Sequence, residues 1–173
     1  LLDATQGLEA QDIKVLKHAE ELKKGLVVAV NKWDLLEKET NTARDYERLI
    51  NERLRTLEYV PILFVSALTR QRIGRVLDTA LEVVEERRKH IATARLNEVL
   101  QEALARHPPP MARNRPVKIK YATQVSKDPP VIAFFCNQPK GIREPYRRFL
   151  ENRLREAFGF RGVPLTLVFK AKS

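Results

Sequence analysis

Leu26-Val27-Val28-Ala29-Val30 runs without a break into Asn31-Lys32-Trp33-Asp34, and this stretch decides the fold. Five apolar, mostly β-branched residues with no polar alternation read as a strand covered on both faces, the kind found at the centre of a parallel sheet. On its N-terminal side, Ala10 to Leu22 carries Ile13, Leu16 and Ala19 at helical spacing, with Gly25 close to where a helix end needs it. On its C-terminal side, Thr42 to Leu57 puts Tyr46, Leu49, Ile50, Leu54 and Leu57 on one stripe. A second apolar strand, Ile62 to Val65, follows Pro61, and an amphipathic helix runs from Ile73 to Lys89. Leu1, Leu2, Asp3 and Ala4 look like the end of a further strand. Helix, strand, helix, strand, helix predicts an α/β sheet with helices on its faces.

Beyond His90 the pattern changes. A helix is expected from Thr93 to Arg106, stopped by His107-Pro108-Pro109-Pro110. Strands over Val117–Gln124 and Val131–Asn137 follow, separated by a turn at Asp128-Pro129-Pro130. A helix over Glu144–Phe158 and a strand over Pro164–Lys170 complete a small α+β unit of helix, strand, strand, helix, strand. The expected domains are therefore 1–90 and 91–173.

Charge divides at the same place. The 173 residues hold 32 Lys and Arg against 22 Asp and Glu, a formal charge of +10. Residues 1–90 carry 16 basic and 16 acidic side chains, whereas residues 91–173 carry 16 basic and 6 acidic ones. A folded segment with that excess points to a polyanionic partner, nucleic acid first and an acidic membrane surface second. With 43% hydrophobic and 31% charged residues, a disordered chain is excluded. No apolar run approaches the roughly 20 residues that span a bilayer, so no membrane partner and a cytoplasmic location are expected. The single Cys136 forbids an internal disulfide, and His18, His90 and His107 are scattered without metal-ligand spacing.

N-K-x-D directly after a buried strand resembles the guanine-recognition motif of the GTPase superfamily, and the residue types suit the task. The Asp34 carboxylate offers two coplanar acceptors, matching the ring N–H and exocyclic amine of guanine, a donor pair that adenine lacks. In this reading Asn31 bonds the acceptor edge of the base and ties neighbouring loops together, the Lys32 stem lies over a ring face, and Trp33 is the variable position. After the next strand, Ser66-Ala67-Leu68 resembles the loop that completes the pocket. There the Ala67 N–H would donate to the guanine carbonyl, Ser66 would hold Asp34, and Leu68 would give an apolar contact. The expected nucleotide-binding set is Asn31, Lys32, Trp33, Asp34, Ser66, Ala67 and Leu68, with no catalytic residue and no metal ligand among them.

Neither G-x-x-x-x-G-K-[ST] nor D-x-x-G, which hold the phosphates and sense the γ-phosphate, occurs in these residues. GTP or GDP would be the nucleotide, with Mg²⁺ only in a complete parent domain, and efficient hydrolysis by these residues alone is not expected. A sheet without its leading strands would also leave an apolar edge to be covered.

Taken together, DATQGLEAQD (3–12), NKWDL (31–35), SAL (66–68), IATARLN (91–97), RPVKIKYATQ (115–124), FFCNQP (134–139) and YRRFLENRLREAFGFRGVPL (146–165) resemble the EngA/Der tandem-GTPase family. The resemblance implies the distal part of its second GTPase domain, an incomplete P-loop-type parallel sheet, followed by a KH-like domain. It further implies that the remaining GTPase domains, the large ribosomal subunit and its rRNA are partners in ribosome assembly. Gly159-Phe160-Arg161-Gly162 spells the GXXG of KH domains but follows the last helix, so a helix cap and turn is expected there instead of an RNA grip. Candidate RNA contacts are Arg113, Arg115, Lys118, Lys120, Arg147, Arg148 and Arg155, while Arg153 falls beside the apolar stripe of its helix. The alternatives are a non-enzymatic RNA-docking module with a vestigial guanine motif, and a related GTPase with an authentic KH domain.

Overall fold

The computed structural model describes residues 1–36, 42–54, 57–112 and 114–171. The chain divides into two units, Leu1–Glu86 with Arg161–Val163, and Arg87–Phe160 with Pro164–Ser173. The main division thus lies just upstream of His90, and three residues of the C-terminal half count with the first unit.

The first unit contains β1 (Leu2–Asp3), α1 (Ala10–Glu21), β2 (Val28–Asn31), α2 (Thr42–Arg53), β3 (Ile62–Phe64) and α3 (Ile73–Arg88). Its strands are parallel in the order β1-β2-β3, with Leu2 opposite Val30 and Val30 opposite Phe64. Being central, β2 is covered on both faces, which is why its apolar run does not alternate. Leu2, Val28, Val30, Trp33, Ile50, Leu54, Leu57 and Phe64 form the core, with Ile13, Leu16 and Tyr46 packed against it. The α2 helix ends at Arg53, short of the expected Leu57, yet Leu54 and Leu57 remain in the core. Strand β2 begins two residues later than expected because the Leu26 N–H is taken by the Gly162 carbonyl at 2.7 Å instead of by a strand. The Gly162 N–H in turn donates to Tyr59 O at 2.7 Å. With φ at +72° and Leu26 O 2.7 Å from where a Cβ would stand, only glycine fits this position. On α3, Thr79 and Val83 are buried, whereas Leu77, Leu81 and Val84 stand exposed.

The second unit contains α4 (Thr93–Arg106), β4 (Ile119–Lys127), β5 (Pro130–Cys136), α5 (Glu144–Phe158) and β6 (Thr166–Ala171). The sheet order is β4-β5-β6, antiparallel and then parallel. Strand β4 extends beyond the expected Gln124 because Ser126 and Lys127 continue the ladder opposite Val131 and Pro130. Val99, Leu100, Ala103, Phe134, Leu150 and Leu154 meet where α4, α5 and the sheet join. The Asn97 amide pairs with both backbone groups of buried Ala122, at 2.8 and 2.9 Å, and so caps part of the outer edge of β4. Gly159 closes α5, its N–H on Arg155 O at 2.8 Å and its φ at +87°. The first glycine of the GFRG string is thus a helix cap, and the second is the close backbone approach described above.

Candidate functional site

The C-terminal edge of the parallel sheet carries three consecutive turns, and Asn31 joins them. Its backbone carbonyl accepts the Ala4 N–H at 2.9 Å, and its side-chain Oδ1 accepts the Ala67 N–H at 2.9 Å. Open α/β sheets bind ligands at this edge, where loops from adjacent strands converge.

The turn after β2 is shaped by Lys32, whose backbone is left-handed at φ +62°, ψ +30°. A non-glycine residue there costs on the order of 1 kcal/mol, which the surrounding bonds must offset. They include Leu35 N–H to Lys32 O at 3.1 Å and Trp33 N–H to Val65 O at 3.1 Å. The kink sends Trp33 inward, where it is 4% exposed, and its ring lies 4.2 Å from Phe64 and edge-on to Tyr46 at 5.7 Å. Trp33 therefore contributes a core side chain to the turn. Its neighbours face outward: the Lys32 side chain is half exposed and Asp34 is half-buried.

The turn after β3 begins at fully buried Ser66, whose N–H donates to Gln71 O at 3.2 Å and whose Oγ accepts the Thr69 N–H at 3.1 Å. Through its acceptor side the hydroxyl thus braces its own loop. The Ala67 N–H, expected to face the base, is engaged by Asn31 instead. Leu68 is 84% exposed, open to contact, and Arg70 and Arg72 sit at φ +60° and +58°.

The third turn supplies a residue that motif reading missed. Asp3, at the end of β1, accepts from Thr5 N–H at 2.9 Å and Thr5 Oγ at 2.7 Å, and its other oxygen lies 2.6 Å from Lys32 Nζ. The Lys32 hydrogen bond foremost, then those from Thr5, hold the carboxyl down to about 2 from an ordinary 3.8. Because the folded value lies below the unfolded one, this pairing favours the folded state fully above about 3.8 and is lost as pH falls through about 2. Titration of the Asp3 side-chain carbon by NMR is expected to show that low midpoint, moving toward 3.8 in Lys32→Met. An ordinary midpoint in the unaltered chain would refute the pairing.

The basic candidates separate by environment. Arg115, Lys118 and Lys120 are exposed, and Arg148 is exposed with Glu144 only 3.5 Å away, a pair of little strength in solvent. Arg147 is drawn back: its guanidinium lies 4.7 Å over the Phe169 ring and its Nε donates to Ile142 O at 3.3 Å. Arg155, another of the candidates, is drawn back onto its own helix and the cap beyond it. Its side chain is 14% exposed, forks onto Glu151 at 2.7 and 3.0 Å, and donates to Phe160 O at 2.9 Å. Arg153 pairs with Glu156 one turn on. Arg113 lies outside the described residues. No helix among the described residues is long and apolar enough to cross a membrane.

Residues 1–86 match the family model of the elongation factor Tu GTP binding domain, and residues 90–170 match that of the KH-domain-like C-terminal part of EngA bacterial GTPase enzymes. The chain is 51% identical over 172 residues to a GTPase Der of Chloroherpeton thalassium, covering 99% of this chain and 40% of that protein. It is 49% identical to a GTPase Der of Chlorobium phaeobacteroides, with the same coverage. Against a GTPase Der of Caldanaerobacter subterraneus subsp. tengcongensis it is 46% identical, covering 99% of this chain and 39% of that protein. The chain thus spans about two fifths of the length of the curated relatives it matches.

Proposed function

The chain belongs to the EngA/Der family of GTPases, as the distal part of a GTPase domain followed by the KH-like domain, and from that premise we propose that its first unit reads the guanine base of GTP or GDP. The observation that carries this reading is the 2.9 Å bond from the Ala67 N–H to Asn31 Oδ1, which joins the N-K-x-D turn to the S-A-L turn at the sheet's C-terminal edge. Asp34 selects guanine by accepting from its ring N–H and exocyclic amine. Asn31 holds the two turns in register, and Lys32, fixed at its head by Asp3, lays its stem along the base. Trp33 keeps the turn seated in the core.

The phosphate-cradling sequence G-x-x-x-x-G-K-[ST], whose Ser or Thr would meet Mg²⁺, does not occur in these 173 residues. Hydrolysis in this reading requires the rest of the GTPase domain from further polypeptide. The exposed Leu77, Leu81 and Val84 on α3 are consistent with more of that domain packing there. The second unit, which holds the cationic surplus, serves in the cytoplasm as a docking module for rRNA in large ribosomal subunit assembly, through Arg115, Lys118, Lys120 and Arg148.

Calorimetric titration of the chain with three nucleosides tests the base reading. Guanosine is expected to bind more tightly than inosine, which lacks the exocyclic amine, and adenosine is expected not to bind measurably. Equal affinities would refute it.

A further inference from the structure

One aromatic pair in the second unit lies where packing against the helices cannot account for it. Tyr121 on β4 stands opposite Phe135 on β5, their rings stacked at 4.5 Å and 12°. Along the same strands, Ala122 and Phe134 point the other way, and Phe134 is 1% exposed among residues of α4 and α5. Since successive side chains alternate across a sheet, Tyr121 and Phe135 occupy the face away from the helices. Tyr121 is 37% exposed and Phe135 is half-buried.

Cations flank this pair. Lys170 on β6 pairs in register with Phe135 and is exposed. On the other flank, the ladder shifts between Ile119 and Tyr121, leaving exposed Lys120 as the extra residue of a bulge beside the tyrosine. Such bulges re-aim a side chain at the edge of a sheet. The three strands together carry Lys120, Lys127 and Lys170 and no Asp or Glu. An aromatic pair with an exposed lysine beside it on one strand and another in register with it on the next, and no carboxylate on these strands, is complementary to a nucleobase whose neighbouring phosphates lie on either side. Bases inside a duplex are already stacked, so the matching ligand is single-stranded.

We propose that Tyr121, stacked on Phe135, is a platform for one unpaired RNA base, with Lys120 and Lys170 holding the flanking phosphates. This deepens the RNA reading of the second unit and rests on it. It also assigns the contact to the open sheet face, away from the helix arginines.

Fluorescence anisotropy of the full chain with fluorescein-labelled 12-nucleotide oligouridine and oligoadenine tests it across a salt series. Loss of one stacked base is worth about 1–3 kcal/mol, so Tyr121→Ala is expected to weaken binding about 5- to 150-fold, while Tyr121→Phe stays within about threefold. Lys120→Ala with Lys170→Ala is expected to flatten the log-log salt slope by about 1.4, two phosphates at about 0.7 each. An unlabelled duplex of the same length is expected to compete poorly. Circular dichroism of each variant excludes misfolding, and Tyr121→Phe separates ring stacking from the fold. Wild-type binding without a salt slope would overturn the RNA reading itself. Salt-dependent binding unchanged in Tyr121→Ala would keep that reading and overturn the platform. Unchanged RNA affinity together with loss of a wild-type dimer in Tyr121→Ala would assign the surface to protein and overturn it likewise.

Discussion

Asp34→Asn is expected to exchange guanine for xanthine as the preferred base. The carboxylate presents two acceptors to two donors, the ring N–H and the exocyclic amine of guanine. An amide in the same place presents one acceptor and one donor. Against guanine, the new N–H₂ faces another N–H₂, so one charge-assisted bond is lost and a donor is left unpaired in a confined site. At about 1.5–3 kcal/mol for a bond to a charged group, and about 1–3 more for the orphaned donor, guanosine affinity falls by two orders of magnitude or more. Xanthine carries a carbonyl where guanine carries the amine, so the amide can satisfy both of its groups. Competition between guanosine and xanthosine in wild type and variant measures the exchange. A variant that weakens both equally would mean that Asp34 shapes the loop without touching the base.

The elements were legible because the apolar periodicity is strong: α5 occupies the expected Glu144–Phe158, and α4 the expected Thr93–Arg106. The position of Asn31 and Asp34 at the end of a buried strand was legible because the apolar run leads straight into N-K-x-D. What sequence reasoning could not supply was the partner of each polar group. Asp3 lies 29 positions before Lys32 in the chain, and only the parallel pairing of β1 with β2, which sets Asp3 beside Asn31, brings the carboxylate to the ammonium. Arg155 falls on the polar side of its helix by periodicity, but periodicity is blind to Glu151 one turn earlier and to the Phe160 carbonyl beyond the cap. The Ala67 N–H was assigned to the base because a loop amide looks available until a neighbouring side chain is known to accept it.

Trp33 joins fold and site most directly, and Trp33→Ala is expected to be the costliest single change in the first unit. The position reads as free because the motif leaves it unspecified. The left-handed Lys32 makes it the one residue of the turn driven into the core, against Phe64 and Tyr46. Truncating a buried aromatic of this size costs about 3–5 kcal/mol through lost transfer energy and the cavity left behind. A domain of ordinary stability holds only about 5–15 kcal/mol, so the unit would stand near its unfolding limit. Leu35→Ala, two residues on but 62% exposed, is expected to change stability by no more than about 0.5 kcal/mol. Urea unfolding followed by amide hydrogen exchange at Val30 and Val65 distinguishes the two. In Trp33→Ala the exchange rates of these β2 and post-β3 amides should rise by about two to four orders of magnitude, at about 1.4 kcal/mol per tenfold, and Trp33→Phe should recover much of the loss. Because Lys32 and Asp34 flank the vacated position, guanosine binding should weaken even under conditions where the variant remains folded. If Trp33→Ala unfolded at the wild-type urea concentration, the turn would have to be held by its polar bonds to Val65, Ala67 and Asp3, and the inward indole would not be what positions Asp34.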